Sequence, residues 1–311
     1  EIQAAGLIAG GVDAILVETC QDPLQIKAAV NGAKQAIAAQ QKDDPAAART
    51  PIMVQVTVET TGTLLVGADI AAAATAIEAL GVDSLGLNCA TGPQEMAEHV
   101  KWLSENWTKP ISLQPNAGLP ELVDGAPYYP LRPQEMADWL RRFLKEDGLN
   151  LIGGCCGTDI DHIEALDAML REEAADGYRP TPKQRDAQWT PALASLYGAV
   201  SYRQENAVLS IGERCNANGS KKFRQFQEAG DWDACVEMGR EQVTDGAHTL
   251  DICTAFVGRD EIADMTEVVS RMRGGVTVPL VFDSTELNVL ETALGLYGGK
   301  PISLIVSNTN L

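Results

Sequence analysis

Leu151-Ile-Gly-Gly-Cys-Cys-Gly-Thr158 is the stretch from which the fold of this chain can be read. A short apolar run passes through two glycines into adjacent thiols, Cys155 and Cys156. A third thiol, Cys89, stands in Leu87-Asn-Cys-Ala-Thr-Gly-Pro93, again directly after an apolar run. Both runs read as strands. Each thiol then sits at the carboxyl end of a strand, where parallel βα folds place their chemistry. Gly153 and Gly154 permit a tight turn out of the strand. Thr158 is placed to cap a helix beginning at about Asp159.

Outward from these segments the pattern repeats. Up to about residue 172, apolar runs bounded by turn residues predict strands at Asp13–Glu18, Ile52–Thr57, Ser84–Asn88, Pro110–Gln114 and Asn150–Gly153. Helices are expected near 22–39, 69–80, 93–107, 132–146 and 159–172, with Asp69 as an N-cap. Nothing in this half reads as a hairpin. Alternation of this kind implies a parallel sheet, open or closed into a barrel. Residues 173–206, with Pro180, Pro182 and Pro191, break the rhythm and read as a linker on the surface, because Trp189, Leu193, Leu196 and Tyr197 need cover. The alternation resumes at Ala207, with strands at Val208–Gly212, Thr249–Ile252, Pro279–Phe282 and Ile302–Val306. Helices are expected near 221–228, 231–245, 259–273 and 286–296. Neither half has eight units. The reading is therefore two incomplete barrels: 1–172, the linker 173–206, and 207–311.

Composition bounds the function. The 311 residues are 45% apolar and only 5% aromatic, which suits an α/β core. A net charge of −19 argues against a nucleic-acid or anionic-membrane surface. No apolar run is long enough to span a bilayer. Seven cysteines without a secretory signal point to a reducing, cytoplasmic setting. The chain opens on Glu1 in mid-helix composition, and the amino terminus of the natural protein is expected upstream.

Three thiolates with one open position describe a zinc site that activates an incoming ligand, since a closed structural site needs four ligands. Inert core cysteines and a vicinal disulfide remain alternatives. Glu18, ending the first strand, and Asn116, in Gln114-Pro-Asn-Ala-Gly-Leu-Pro120, would face the same mouth. Each also has an ordinary reading, as a solvated carboxylate and a turn residue. In the second half, Ile211-Gly-Glu-Arg-Cys-Asn216 follows the first strand, Asp251 ends the second and Asp283 the third. Carboxylates there suit a ligand with paired N–H donors, such as a pterin ring, or serve as caps. His99, His162 and His248 have no ligand spacing.

With these residues assembled, the chain resembles the cobalamin-dependent methionine synthase family. Leu87–Pro93, Pro115-Asn-Ala-Gly-Leu-Pro120 and Gly153-Gly-Cys-Cys-Gly-Thr158 look like its zinc and homocysteine signature. Ile211–Asn216 and Asp283-Ser-Thr-Glu286 look like the start of its methyltetrahydrofolate module. The resemblance implies two TIM-type (β/α)8 barrels, both incomplete here. It implies Zn2+ on Cys89, Cys155 and Cys156, homocysteine on Glu18 and Asn116, and the pterin of 5-methyltetrahydrofolate on Glu213, Asn216, Asp251 and Asp283. The implied enzyme is a methyltransferase that makes methionine by way of methylcobalamin, which is carried by a module outside this chain.

The sequence departs from the family pattern at Cys253, where many relatives carry Asn after the Asp-Ile pair. It departs again at Leu304, where an Asn is expected and only Asn308 and Asn310 follow. The rival readings are a homocysteine methyltransferase with a cobalamin-independent donor, and a non-catalytic scaffold that docks a corrinoid protein.

Overall fold

A computed structural model describes residues 1–178 and 185–304. Its elements in chain order begin with α1 (Ile2–Ala9), β1 (Ile15–Cys20), α2 (Pro23–Asp43), β2 (Ile52–Val56), α3 (Ile70–Glu78), β3 (Ser84–Asn88), α4 (Pro93–Asn106) and β4 (Ile111–Gln114). A hairpin of β5 (Glu121–Val123) and β6 (Ala126–Tyr128) precedes α5 (Pro133–Glu146), β7 (Leu151–Ile152) and α6 (Ile160–Ala175). A second hairpin, β8 (Ala192–Ala194) and β9 (Ala199–Ser201), follows. The chain then runs through β10 (Ile211–Gly212), α7 (Lys221–Ala229), α8 (Trp232–Thr244), β11 (Thr249–Ile252), α9 (Glu261–Gly275), β12 (Leu280–Asp283), α10 (Leu287–Leu296) and β13 (Ile302–Leu304).

Contacts group these elements into two units: Glu1–Val66 with Leu80–Thr190, and Gly67–Ala79 with the chain from Pro191 onward. The first unit carries a five-stranded sheet in the order β1-β2-β3-β4-β7, and the second a four-stranded sheet in the order β10-β11-β12-β13. Every pairing in both sheets is parallel. Strand order follows chain order, so consecutive strands lie side by side and their carboxyl ends share one edge. The two sheets have no strand in common among the described residues.

The local causes are visible. All five residues of β3 and all four of β11 are buried, as expected of parallel strands covered on both faces. Within β3 only glycine fits at 86: a Cβ there would lie 2.1 Å from the backbone oxygen of Ser112, its partner on β4. Helices start on fixed signals. Pro23, Pro93 and Pro133 occupy first-turn positions, where their missing N–H costs nothing. Asp22, Asp231 and Asp260 accept backbone N–H groups as N-caps. In the second unit Phe282 stacks edge-on to Tyr297, with centroids 5.5 Å apart, and both are buried with Phe223 and Met265. Each such side chain contributes roughly 1.5–3 kcal/mol by leaving water.

Three sequence expectations need correcting. The first half does contain a hairpin, β5–β6. Its turn is Asp124-Gly125, both at positive φ (51° and 78°), and Val123 pairs Ala126; this is the two-residue turn that matches strand twist. The cap of α6 is Asp159, which accepts from His162 N at 3.2 Å, while the Thr158 hydroxyl donates to Cys155 O at 2.6 Å. At the cysteine loop, Gly157 has a positive φ (78°), while Gly154 leaves room for Thr158, whose Cγ2 would lie 2.5 Å from a Cβ there. The segment read as a linker contains the end of α6 and the β8–β9 hairpin. Trp189 does find cover, edge-on against Trp107 at 6.2 Å. Pro180, Pro182, Asn308 and Asn310 lie outside the described residues.

Candidate functional site

Cys89 follows the last residue of β3 directly, and Cys155 and Cys156 follow β7 after the two glycines. The loop after β4 fixes the distance between them. Cys89 N–H donates to Gln114 O at 3.1 Å, and Asn116 N–H donates to Thr91 O at 3.0 Å. On the other side, Cys155 N–H donates to Pro115 O at 2.8 Å and Ala117 N–H to Cys156 O at 2.9 Å. Asn116, 3% exposed, adds its side chain, whose Oδ1 accepts Cys156 N–H at 3.1 Å. Residues 114–117 thus hold the two cysteine loops at a set spacing.

The result is a cluster of three sulfurs, all within 4.8 Å of one another, with Cys89 Sγ and Cys156 Sγ 3.7 Å apart. Tetrahedral zinc with Zn–S bonds of about 2.3 Å requires sulfurs about 3.8 Å apart. All seven cysteines are free thiols, so the vicinal disulfide is not formed. Burial first, then the neighbouring Cys89 and Cys156, pushes the Cys155 thiol up to about 12. A bound dication reverses that balance, because a coordinated thiol gives up its proton.

The backbone carries strain at this edge. Cys89 and Ala90 both adopt left-handed conformations (φ 63° and 62°), as does Thr19 at the end of β1 (φ 54°). Each costs roughly 1–3 kcal/mol in a non-glycine residue, and such residues cluster at functional sites.

Glu18 lies at the same edge and is exposed. What links it to the thiols is Asn88, the fully buried last residue of β3. Asn88 Oδ1 accepts Thr19 N–H at 2.9 Å. Its Nδ2 donates to Thr19 Oγ1 at 2.8 Å and stands 3.5 Å from Glu18 Oε2 and 3.8 Å from Cys155 Sγ. Sequence reasoning passed over Asn88 as part of a strand. The available signal was a polar side chain ending an otherwise apolar run. Tyr129, just after β6, was also missed. Burial raises its phenol pKa first, followed by the Cys156 thiol through charge and hydrogen bonding, then Cys89 and Cys155.

The second unit has its own polar cluster at the carboxyl edge of its sheet. Asn216 Nδ2 donates to Asp251 Oδ2 at 2.7 Å and to Asp283 Oδ2 at 3.2 Å. Asn216 is itself set by a turn in which its Oδ1 accepts Asn218 N–H at 2.9 Å. Asp251 is 7% exposed, and its Oδ1 is buried with no hydrogen-bond partner. Burial raises its pKa; the Asn216 hydrogen bond works the other way, and Asp283 and Glu213 add to the rise. Three of the four expected side chains therefore converge, while the exposed Glu213 contributes its charge and a carbonyl that accepts Asn216 N–H at 3.2 Å. Cys253, 2% exposed, takes a hydrogen bond from Asn218 Nδ2 at 3.4 Å. Leu304, at the end of β13, is 42% exposed. No described helix is long and apolar enough to cross a membrane.

Residues 1–170 match the family described as homocysteine S-methyltransferase, and residues 212–303 match that described as pterin binding enzyme. Proteins named methionine synthase from Mycobacterium tuberculosis (strain ATCC 25618 / H37Rv) and Mycobacterium leprae (strain TN) are 48% and 47% identical over 297 residues. Those alignments cover 96% of this chain and 24% of each relative. The chain thus spans about a quarter of the length of these relatives. The apo structure of the homocysteine methyltransferase MmuM from Escherichia coli overlays 54% of this chain on 53% of its own. The TM-score is 0.37 and the identity 22%, too low to build on.

Proposed function

Because the chain belongs to the homocysteine S-methyltransferase family, we propose that it serves methionine synthesis, transferring a methyl group from 5-methyltetrahydrofolate, by way of cobalamin, to homocysteine. In this reading each sheet is part of a (β/α)8 barrel, with residues 1–172 and 207–311 in different barrels. The observation that carries the proposal is the thiol triad, with a Cys89–Cys156 sulfur separation of 3.7 Å against the roughly 3.8 Å of a tetrahedral zinc site.

Cys89, Cys155 and Cys156 would hold the zinc and leave a fourth position for the substrate sulfur. Zinc, when bound, supplies the Lewis acidity that keeps a thiol ionised at neutral pH. Glu18 would receive the homocysteine ammonium through a charge-assisted hydrogen bond. Asn88 keeps Glu18 and Cys155 on either side of one amide nitrogen. Asn116 belongs to the same pocket, where it holds Cys156 in place through its N–H.

In the second barrel, Asp251 and Asp283 would accept the paired N–H groups of the pterin, with Asn216 bridging them and Glu213 alongside. The unpartnered Asp251 Oδ1 supports a donor ligand there. The match of residues 212–303 to pterin binding enzymes favours a folate donor over a cobalamin-independent one, and a methyltransferase over a bare scaffold. We assign the carrying of methylcobalamin to another module of the parent protein. We place the protein in the cytoplasm, where thiols stay reduced.

Calorimetric titration of zinc-loaded protein with L-homocysteine tests the proposal. The expected result is one site per chain, proton release on binding, and loss of the site in Cys155→Ser. Equal binding after zinc has been stripped by a chelator would overturn it.

A further inference from the structure

We infer that Glu261 is a positioning residue of the second unit's polar cluster. Through Ser284 it fixes the spacing of Asp251 and Asp283, and so favours a ring that offers two adjacent N–H donors. The inference rests on the pterin reading above and extends it to residues outside the four that would meet the ligand.

The strand register shows why a clamp is needed. β11 and β12 pair Asp251 with Val281 and Ile252 with Phe282. Asp283 lies two residues beyond Val281, so it shares a sheet face with Asp251. The ladder between the two strands ends at Ile252 and Phe282, one residue short of Asp283. Two carboxylates on one face repel each other, and more strongly where burial removes water. Asn216 Nδ2 spans them at 2.7 and 3.2 Å, which uses both of its protons. Beyond that amide, the two strand ends must be held by side chains in the loops that follow.

Glu261, the first residue of α9, meets both loops. Its Oε1 accepts Ser284 O–H at 2.7 Å, and Ser284, 3% exposed, directly follows Asp283. Ser284 Oγ in turn accepts Glu286 N–H at 3.1 Å. On the other side, the Glu261 carbonyl accepts Thr254 O–H at 3.3 Å, in the loop that leaves β11. That loop is anchored in the core. Buried Gln227 donates to Thr254 O at 3.3 Å and to Asp264 Oδ2 at 3.2 Å. Arg259 donates to both oxygens of the same carboxylate, at 2.5 and 2.6 Å. One residue at the start of α9 therefore joins the segment after Asp251 to the segment after Asp283. The benefit is selectivity. A buried carboxylate left without a donor costs binding, so two at a set spacing favour a ring with two adjacent N–H donors over a ring with one.

Glu261→Ala and Ser284→Ala in the full chain test this, with 5-methyltetrahydrofolate and its 2-desamino analogue as ligands and calorimetry as the readout. The analogue lacks the second donor and does not depend on the spacing. Both variants should bind 5-methyltetrahydrofolate about 10-fold more weakly and the analogue nearly as well as the parent does. Glu261→Gln should restore most of the loss, because its amide oxygen still accepts from Ser284. A loss of stability alone would weaken both ligands alike, and urea unfolding measures it separately. Glu261→Ala protein that binds 5-methyltetrahydrofolate as the parent does, or that loses both ligands equally, would overturn the inference. Failure of the pterin reading looks different: the parent protein itself would bind no 5-methyltetrahydrofolate, or would not distinguish it from the analogue.

Discussion

Removing the side chain of Asn88 should cost the first unit more than any single surface change. Asn88→Ala, at a fully buried position, leaves the exposed Thr19 without the acceptor 2.9 Å from its N–H and without the donor to its Oγ1. Thr19 is exposed, so its freed N–H can turn to water, and two lost hydrogen bonds at about 1 kcal/mol each put the expected loss near 2 kcal/mol. Thr19 has a second claim on Asn88, because its left-handed φ of 54° must be held by something. Urea unfolding followed by tryptophan fluorescence reads this unit: Trp102, Trp107, Trp139 and Trp189, four of the five tryptophans, lie in it. With an m value of about 2 kcal/mol/M, the midpoint should drop by about 1 M. The same variant should weaken homocysteine binding more than zinc binding, since Glu18 and Thr19 lose their anchor while the three cysteines remain. A midpoint within about 0.3 M of the parent, with homocysteine affinity intact, would refute the idea that Asn88 organises this edge.

Further outcomes follow from the same geometry. Glu18→Gln should leave zinc stoichiometry unchanged and raise the homocysteine dissociation constant about 10-fold or more, as loss of a charge-assisted bond requires; calorimetry reads both. Gly86→Ala should destabilise the first sheet by about 3 kcal/mol or more, because a Cβ 2.1 Å from Ser112 O must separate β3 from β4; chemical denaturation checks it. For Asp251, burial raises the folded pKa above the unfolded value. The stability it contributes is therefore full below the unfolded pKa and is lost as pH rises through the folded one. Asp251→Asn should accordingly raise the melting temperature at pH 7, give no gain at pH 3, and abolish pterin binding; a melting temperature equal to or below the parent's at pH 7 would count against the assignment.

How far the sequence could be read depended on the kind of interaction involved. Strands such as Ser84–Asn88 and Thr249–Ile252 were legible because burial on both faces leaves a continuous apolar run. Parallel pairing was legible because helices alternating with strands imply a parallel sheet. Cys89, Cys155 and Cys156 stood out because thiols at strand ends are rare and chemically specific. Other features depended on long-range partners. Nothing local distinguishes Asn88 from a strand residue until Thr19 is seen 69 positions away. The β5–β6 strands have three residues each, too short for a period. Thr158 looked like a cap because its hydroxyl is well placed, but Cys155 O engages it and Asp159 takes the role. Tyr129 could not be tied to the thiols before the hairpin that returns it was known.

Zinc K-edge X-ray absorption on the purified protein tests the central claim most directly. The account predicts one zinc per chain with three sulfur ligands at about 2.3 Å, rising to four sulfurs when L-homocysteine is added and falling by one in Cys89→Ala. A shell of nitrogen and oxygen ligands, or a sulfur count that L-homocysteine leaves unchanged, would contradict it.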